Sequence, residues 1–426
     1  MKILFCAYDR SNHLATGPNA WLQRLVPDLI SNYGLDIQTL FVYSGVSKKC
    51  PTISYFKENN LPIHLINSNT HNYVEDQIKE LLGIIKKEDI SLVVANLVIP
   101  ALYATQYLKP FNIPVIGVMH SNDTFYQGVI TKFIHGKSKN QLSTAVSVSD
   151  YIKTICTSKQ TQTQLLNIPC GTPQPNIRTS RSTEDKYFKI MYAGRLEIQQ
   201  KQILKLVNAF VEASSLNPNL EFSIYGDGTE FDQVQSILGR RQGHNVHFYG
   251  AVKPSEILDV MANHHVITLM SDYEGMPVAL MEGMASGIVP VCLQEESGIN
   301  EIIKHGVNGF IVKDRDKDYQ DKLQLLFNDV TLWETLSKNA IATIKHTYSS
   351  EITHKKWFEL LSCFESLTTK QLRLPITIKV EGDQLPYGDY RKPSIKTRIK
   401  QQCTHNWLAF KMAVRPRARL KSFLKK

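Results

Sequence analysis

The sequence has 426 residues, 42% hydrophobic and 21% charged, with 22 Gly and 18 Pro, which excludes a disulfide-stapled miniprotein, a collagen-like chain and wholesale disorder. Its net charge of +10 is not spread evenly, because residues 391–426 carry twelve Lys or Arg and no Asp or Glu, leaving about −2 for residues 1–390. The basic character belongs to a tail, so nucleic-acid binding by the whole protein is not the expectation.

The opening MKILFCAYDR has an apolar run cut short by Asp9 and Arg10, too brief for a signal-peptide core, and reads as a first strand. Seven scattered cysteines with no CxxC pair point to a reducing cytoplasm rather than a disulfide framework. Short apolar runs then alternate with amphipathic helical stretches, the pattern of parallel sheets covered by helices. The first series of strands is expected at Lys2–Ala7, Ile37–Val42, Ile63–Ile66, Leu92–Ala95, Val115–Met119 and Ala145–Val148. Leu22, Leu25, Val26, Leu29 and Tyr33 recur at helical spacing before Gly34, so that helix buries one face on the sheet. The stretch Ser91–Leu108 is broken by Asn96, Pro100, Thr105 and Gln106 and falls short of the ~20 apolar residues a spanning helix needs.

Cys170–Lys186, rich in Pro, Ser, Thr and charge, reads as a linker. A second series follows at Phe188–Gly194, Leu220–Gly226, Asn245–Gly250, His265–Met270, Gly287–Leu293 and Gly309–Val312, with helices over about 319–346 and 350–366. The fold expected is α/β, two doubly wound Rossmann-like domains (1–170 and 187–349), a C-terminal helix over 350–369 and a basic tail.

The densest chemistry lies in SDYEGMPVALMEGMASGIVPV, residues 271–291. Glu274 falls in a loop after a strand, where open α/β sheets bind ligands, and Pro277 suits a helix start. Backbone N–H groups near Gly275 to Val278 would attract phosphate, while Glu282 would accept from hydroxyls. A phosphorylated, hydroxyl-rich ligand satisfies both; a capped core helix with two surface glutamates is the plainer alternative.

This block, with Gly-Met-Pro after the first Glu, resembles the retaining family 4 glycosyltransferases of the GT-B fold. GRLEIQQKQ, residues 194–202, is similar to that family's segment in which an Arg and a Lys bind the donor diphosphate, here Arg195 and Lys201; Gln202 stands where Gly is usual. YGDG at 225–228, NVHFYGAV around Gly250, and SGINEIIKHGVNGFIV agree in order and spacing. The resemblance implies a nucleotide-sugar donor held in a cleft between an N-terminal acceptor domain and a C-terminal donor domain. Arg195 and Lys201 would stabilise the departing diphosphate, Glu274 hold sugar hydroxyls, Glu282 the ribose, and Gly250 to Val252 the base. In the N-terminal half Gly17, before Pro18, would approach the donor, and His120 would assist the sugar. Ser149 or Asp150 reads as a helix cap.

No metal is expected, since fixed cations can neutralise a diphosphate. The D-x-D patterns at Asp314, Asp316 and Asp318 read as a solvated loop. The partners implied are a nucleotide sugar, a glycan or lipid-linked acceptor and an anionic membrane surface, which the tail would meet through Leu420, Phe423 and Leu424 among its cations. The scattered cysteines and the basic tail thus point to a cytoplasmic protein peripheral at the membrane, and the resemblance to work in cell-surface glycan or glycolipid synthesis. A nucleotide-sugar epimerase of the same fold and an inactive binding protein are the alternatives; a glycan phosphorylase would need a pyridoxal-phosphate lysine site that is not identifiable.

Overall fold

A computed structural model describes residues 1–12, 16–241, 243–254, 256–294 and 297–380. The basic tail at 391–426 lies outside the described residues.

The first seven strands are β1 (Lys2–Arg10), β2 (Asp36–Ser44), β3 (Ile63–Asn67), β4 (Leu92–Ala95), β5 (Val115–Met119), β6 (Thr144–Ser147) and β7 (Gln164–Asn167). They form one parallel sheet in the order β3-β2-β1-β4-β5-β6-β7. The next six are β8 (Phe188–Ala193), β9 (Leu220–Tyr225), β10 (Val246–Gly250), β11 (Val266–Leu269), β12 (Val289–Leu293) and β13 (Phe310–Val312). They form a second parallel sheet in the order β10-β9-β8-β11-β12-β13. Strand order reverses between β1 and β4 and again between β8 and β11, and such switch points open a crevice at the carboxyl ends of the strands.

Central strands are apolar on both faces, as sheets covered by helices require: Leu92–Ala95, Val115–Met119 and Val289–Leu293 are buried throughout. Edge strand β7 is not among the expected strands; its QLLN has no fully buried residue, so it lacks the continuous apolar run that marked the others. The helical stretch expected over 319–346 is broken in two, Lys317–Asn328 and Val330–Thr343, because Asp329 leaves helical geometry and its side chain accepts from Leu332 N at 2.8 Å.

The helix Ser350–Ser362 is shorter than the 350–369 expected and packs on the helix Gly17–Ser31, back in the first layer system. Its Trp357 is fully buried, 5.4 Å from the ring of Trp21 and 6.2 Å from Phe5, and His354 Nδ1 lies 2.7 Å from Asp28 Oδ2. Residues beyond it follow the first sheet's helices, with Lys370 N donating to Phe111 O and Tyr107 OH to Lys379 O. The chain crosses between the two sheets twice, and the crossings run side by side: Thr172 N donates to Tyr348 O at 3.0 Å and Ser350 N to Thr172 O at 2.9 Å. Gly171 permits this approach, since a Cβ there would lie 2.7 Å from Ser350 Cα. The stretch expected as a linker is laid on the second sheet's helices: Thr179 N donates to Ser286 O, and Arg181 stacks 4.4 Å from the Phe188 ring. No helix among the described residues is long and apolar enough to cross a membrane.

Candidate active site

Two loops at the carboxyl ends of neighbouring strands build the centre. The first follows β8 and runs through Arg195 to Gln202, where the helix Ile203–Leu216 begins; the second follows β11 and ends at Pro277, which is the N-cap of the helix Val278–Ala285 rather than its first residue. Lys201 Nζ lies 2.5 Å from Glu274 Oε1, with the Lys side chain 12% and the Glu side chain 6% exposed. Gln200 is the joint: its Nε2 donates to Glu274 Oε2 at 3.2 Å and Tyr273 O at 3.0 Å, while its Oε1 accepts from Arg195 Nη2 at 2.7 Å. Arg195 also meets Glu197 at 3.1 Å and keeps 61% of its side chain exposed. Arg195, Gln200, Glu274 and Lys201 are therefore one connected chain of charge-assisted hydrogen bonds. Sequence reasoning found three of these and missed Gln200, whose only signal was a polar residue between the two cations.

Gln202 takes the left-handed conformation, with φ 50° and ψ 37°. That geometry explains a preference for Gly at the position; here the side chain compensates by donating to Asp272 Oδ2 at 2.5 Å. Asp272 is braced in turn by Arg315 Nη2 at 2.6 Å, which also donates to Met270 O at 2.7 Å. Arg315 is the working residue of the D-x-D loop. Asp314 Oδ1 accepts from the backbone of Asp316 and Asp318, and Asp318 Oδ2 from Lys313 N. Among the described residues no group of three or more His, Cys, Asp or Glu is arranged to hold a metal ion.

The two halves meet backbone to backbone. A Cβ at Gly275 would lie 1.9 Å from His120 O, and one at Gly298 1.9 Å from Gly275 O, so both glycines are required by close approach. A Cβ at Gly17 would lie 3.9 Å from Val278 Cγ2, which puts the start of the first helix against the start of Val278–Ala285. Two helix N-termini thus converge beside Gly275, Met276 and Pro277, and each favours an anion.

The His120 ring is turned inward. Its Nε2 lies 2.6 Å from Asn96 Oδ1, its Nδ1 3.9 Å from Cys170 Sγ, and Trp21 packs edge-on at 5.4 Å. Burial pushes its pKa down to about 3, so the ring is neutral, and its peptide carbonyl is what touches Gly275. Gly250, at φ 73°, ends β10; its carbonyl accepts from Gly226 N at 2.8 Å. It and Val252 lie at the carboxyl edge of the sheet, two strands from β8. In YGDG, a Cβ at Gly226 would lie 1.9 Å from Gly194 O, so this motif locks two loops together.

Two further contacts join the domains, and no spacing in the sequence pairs their partners. Arg24, on the helix Gly17–Ser31, is ion-paired through Nη2 with Glu282 Oε1. Glu301 accepts from Tyr151 N at 2.7 Å and Asp150 N at 2.9 Å, so it caps the helix Asp150–Cys156 from the other domain, while Ser149 caps it from within by accepting from Ile152 N. Burial raises the Glu301 carboxyl above its ordinary pKa, against the pull of the two N–H donors.

Residues 173–343 match the family described as glycosyl transferases group 1. A GtfA subunit of a UDP-N-acetylglucosamine–peptide N-acetylglucosaminyltransferase from Streptococcus agalactiae is 27% identical over 224 residues, 49% of this chain and 43% of that protein. This chain therefore spans less than half the length of that relative. An α-1,4-N-acetyl-D-galactosaminyltransferase of Campylobacter jejuni, whose name gives an undecaprenol-linked glycan, is 25% identical over 252 residues, 58% of this chain and 68% of that protein. The crystal structure of Anabaena Alr3699/HepE in complex with UDP and glucose superposes with a TM-score of 0.67 over 85% of this chain and 100% of that one, at 18% identity, a likeness of fold. The match to glycosyl transferases group 1 thus covers residues 173–343, in a chain that has the two-domain GT-B fold.

Proposed function

We propose that this chain transfers a sugar from a nucleoside diphosphate sugar to an acceptor hydroxyl, with retention of anomeric configuration and without a metal. The observation that carries the reading is the connected chain Arg195–Gln200–Glu274–Lys201 at the mouth of the crevice. It sets two cations, placed for a diphosphate, beside a carboxylate placed for sugar hydroxyls. In the free protein these cations are neutralised by Glu197 and Glu274; a bound diphosphate replaces those partners, and Glu274 turns to the sugar.

In the transfer, the bond from the anomeric carbon to the β-phosphate oxygen breaks and its electron pair stays on phosphate. The acceptor oxygen bonds to the same face, and its proton passes to the leaving phosphate oxygen. No protein nucleophile takes part. Arg195, Lys201 and the converging helix starts at Gly17 and Val278 stabilise the charge that develops on phosphate. The HepE complex holds UDP and glucose, which makes UDP-sugars the first donors to try. The Campylobacter relative's name supports a glycan or lipid-linked acceptor, and with it the placing of residues 391–426 at an anionic membrane surface on the cytoplasmic side, in cell-surface glycan synthesis.

The test is a thermal-shift panel of UDP, GDP, ADP and their sugars, followed by turnover with the stabilising donor with and without EDTA. A ligand at a hundred times its Kd adds ~2.7 kcal/mol of stability. No stabilisation by any donor overturns the reading; loss of turnover in EDTA, restored by Mg²⁺ or Mn²⁺, overturns its metal-free part; an inverted product overturns retention.

A further inference from the structure

Glu282 is buried, at 6% exposure, on the helix Val278–Ala285. Its Oε1 is held by Arg24 of the opposite domain, and its Oε2 is bonded to none of the described residues. Asp28, one helical turn beyond Arg24, is engaged by His354, so among these groups Glu282 is the carboxylate on which Arg24 acts. The guanidinium's Nη1 is buried with no partner among the described residues. A buried ion pair with an unpaired N–H is a poor device for stability, because desolvation of both charges offsets their attraction. It is a good device for orientation: an Arg donor fixed on one carboxylate oxygen leaves the other aimed one way.

We infer that Arg24 is a positioning residue that orients the free Glu282 oxygen toward the hydroxyls of the donor's ribose, so that this part of the donor site is complete only when the two domains are closed. The inference rests on the donor reading above, in which Glu282 meets the ribose. It names a contribution of the N-terminal domain to recognition of the ribose, beyond the helix start at Gly17 that faces the phosphate.

The experiment is calorimetric titration of the full chain. UDP, GDP and ADP are tried first, and the tightest is then compared with its 2′-deoxy and 3′-deoxy forms. The readout is the ratio of deoxy to ribo Kd, which a change in overall domain stability does not move. In the wild type this ratio is expected at about tenfold or more, the worth of a hydrogen bond to a charged acceptor. Glu282→Gln brings it close to one. Arg24→Gln is expected to bring it most of the way down with the deoxy Kd changed less than about threefold, and Arg24→Lys, which keeps the charge but not the planar fork, to fall between. A wild-type ratio in both Arg24 variants, alongside a collapsed ratio in Glu282→Gln, overturns the inference and leaves the ribose reading standing. An unchanged ratio in Glu282→Gln, or no diphosphate bound by the wild type, removes the donor reading and the inference with it. If Arg24→Gln does not fold, the Arg24→Lys ratio decides.

Discussion

The two carboxylates of the E-x7-E segment lie on one short stretch of chain, yet they are held in opposite ways. Glu274 is fixed entirely from within its own domain, by Lys201 and Gln200. Glu282 is fixed from outside it, by Arg24. The first arrangement exists whether or not the domains are closed, and closure makes the second. A crevice between two sheets can thus hold one carboxylate from within a single domain and leave the placing of the other to the meeting of both domains.

The contrast is broken most directly at Glu274. Glu274→Gln keeps shape but loses the charge that the proposed function sets against the sugar, and kcat is expected to fall about 10²- to 10³-fold, whereas Glu282→Gln is expected mainly to raise the donor KM. Steady-state kinetics with saturating acceptor check this; a pure KM effect at Glu274 would erase the distinction. Next in size is Gln200→Leu, which separates Arg195 from Glu274 without removing a charge. It should lower kcat/KM by about tenfold, measured in the same assay, and an unchanged value would mean that the chain of contacts is not a unit.

The third test uses acid. The buried, neutral His120 of the N-terminal domain has its pKa pushed down to about 3 by desolvation, and His264 and His265 of the C-terminal domain to about 4. For His265 the neighbouring Asp185 partly opposes that fall. Unfolded histidine takes up a proton near pH 6.5. The unfolded state then binds more protons, so stability is full above 6.5 and lost as pH falls through 6.5 toward 4 and 3. Tm should drop between pH 7 and 5, and drop less in His265→Asn, whose Oδ1 can replace the ring nitrogen that accepts from Lys189 N at 3.0 Å. Comparing His265→Asn with a His120 variant shows which domain gives way first.

The smallest effect is at Gln202. Gln202→Gly relieves a left-handed residue but loses the bond to Asp272, so the net change should stay within about 1 kcal/mol. Gln202→Ala keeps the strain and loses the bond, and should be less stable than the Gly variant by about 1 kcal/mol in denaturant unfolding.

The sequence made the architecture legible where its signal is local. Strands such as β5 and β12 are apolar end to end and are covered on both faces, and Glu274 and Lys201 follow the strands whose carboxyl ends flank the switch point. What was illegible is long-range. Arg24 sits on the polar side of an amphipathic helix and reads as solvated, and its partner is 258 residues away. Gln200 and Glu301 are polar residues whose roles depend on which backbone comes to face them. His120 stands after a strand, as expected of a site residue, but neighbours that no spacing reveals, Asn96, Cys170 and Trp21, turn its ring into the core.

The return of the last helix to the first domain has a consequence for synthesis on the ribosome. Trp21 and Phe5 are covered by Trp357, which is made only after the entire second domain has been translated. At about 5–20 residues per second, the first domain waits on the order of 10 to 40 s with this apolar seam open. The second domain waits less, since its first strand, at Phe188, and His265 beside it are covered by Phe327 and Trp333, which are made before Trp357. The half translated second is therefore the half expected to finish folding first, and the nascent first half is where a chaperone has a surface to hold.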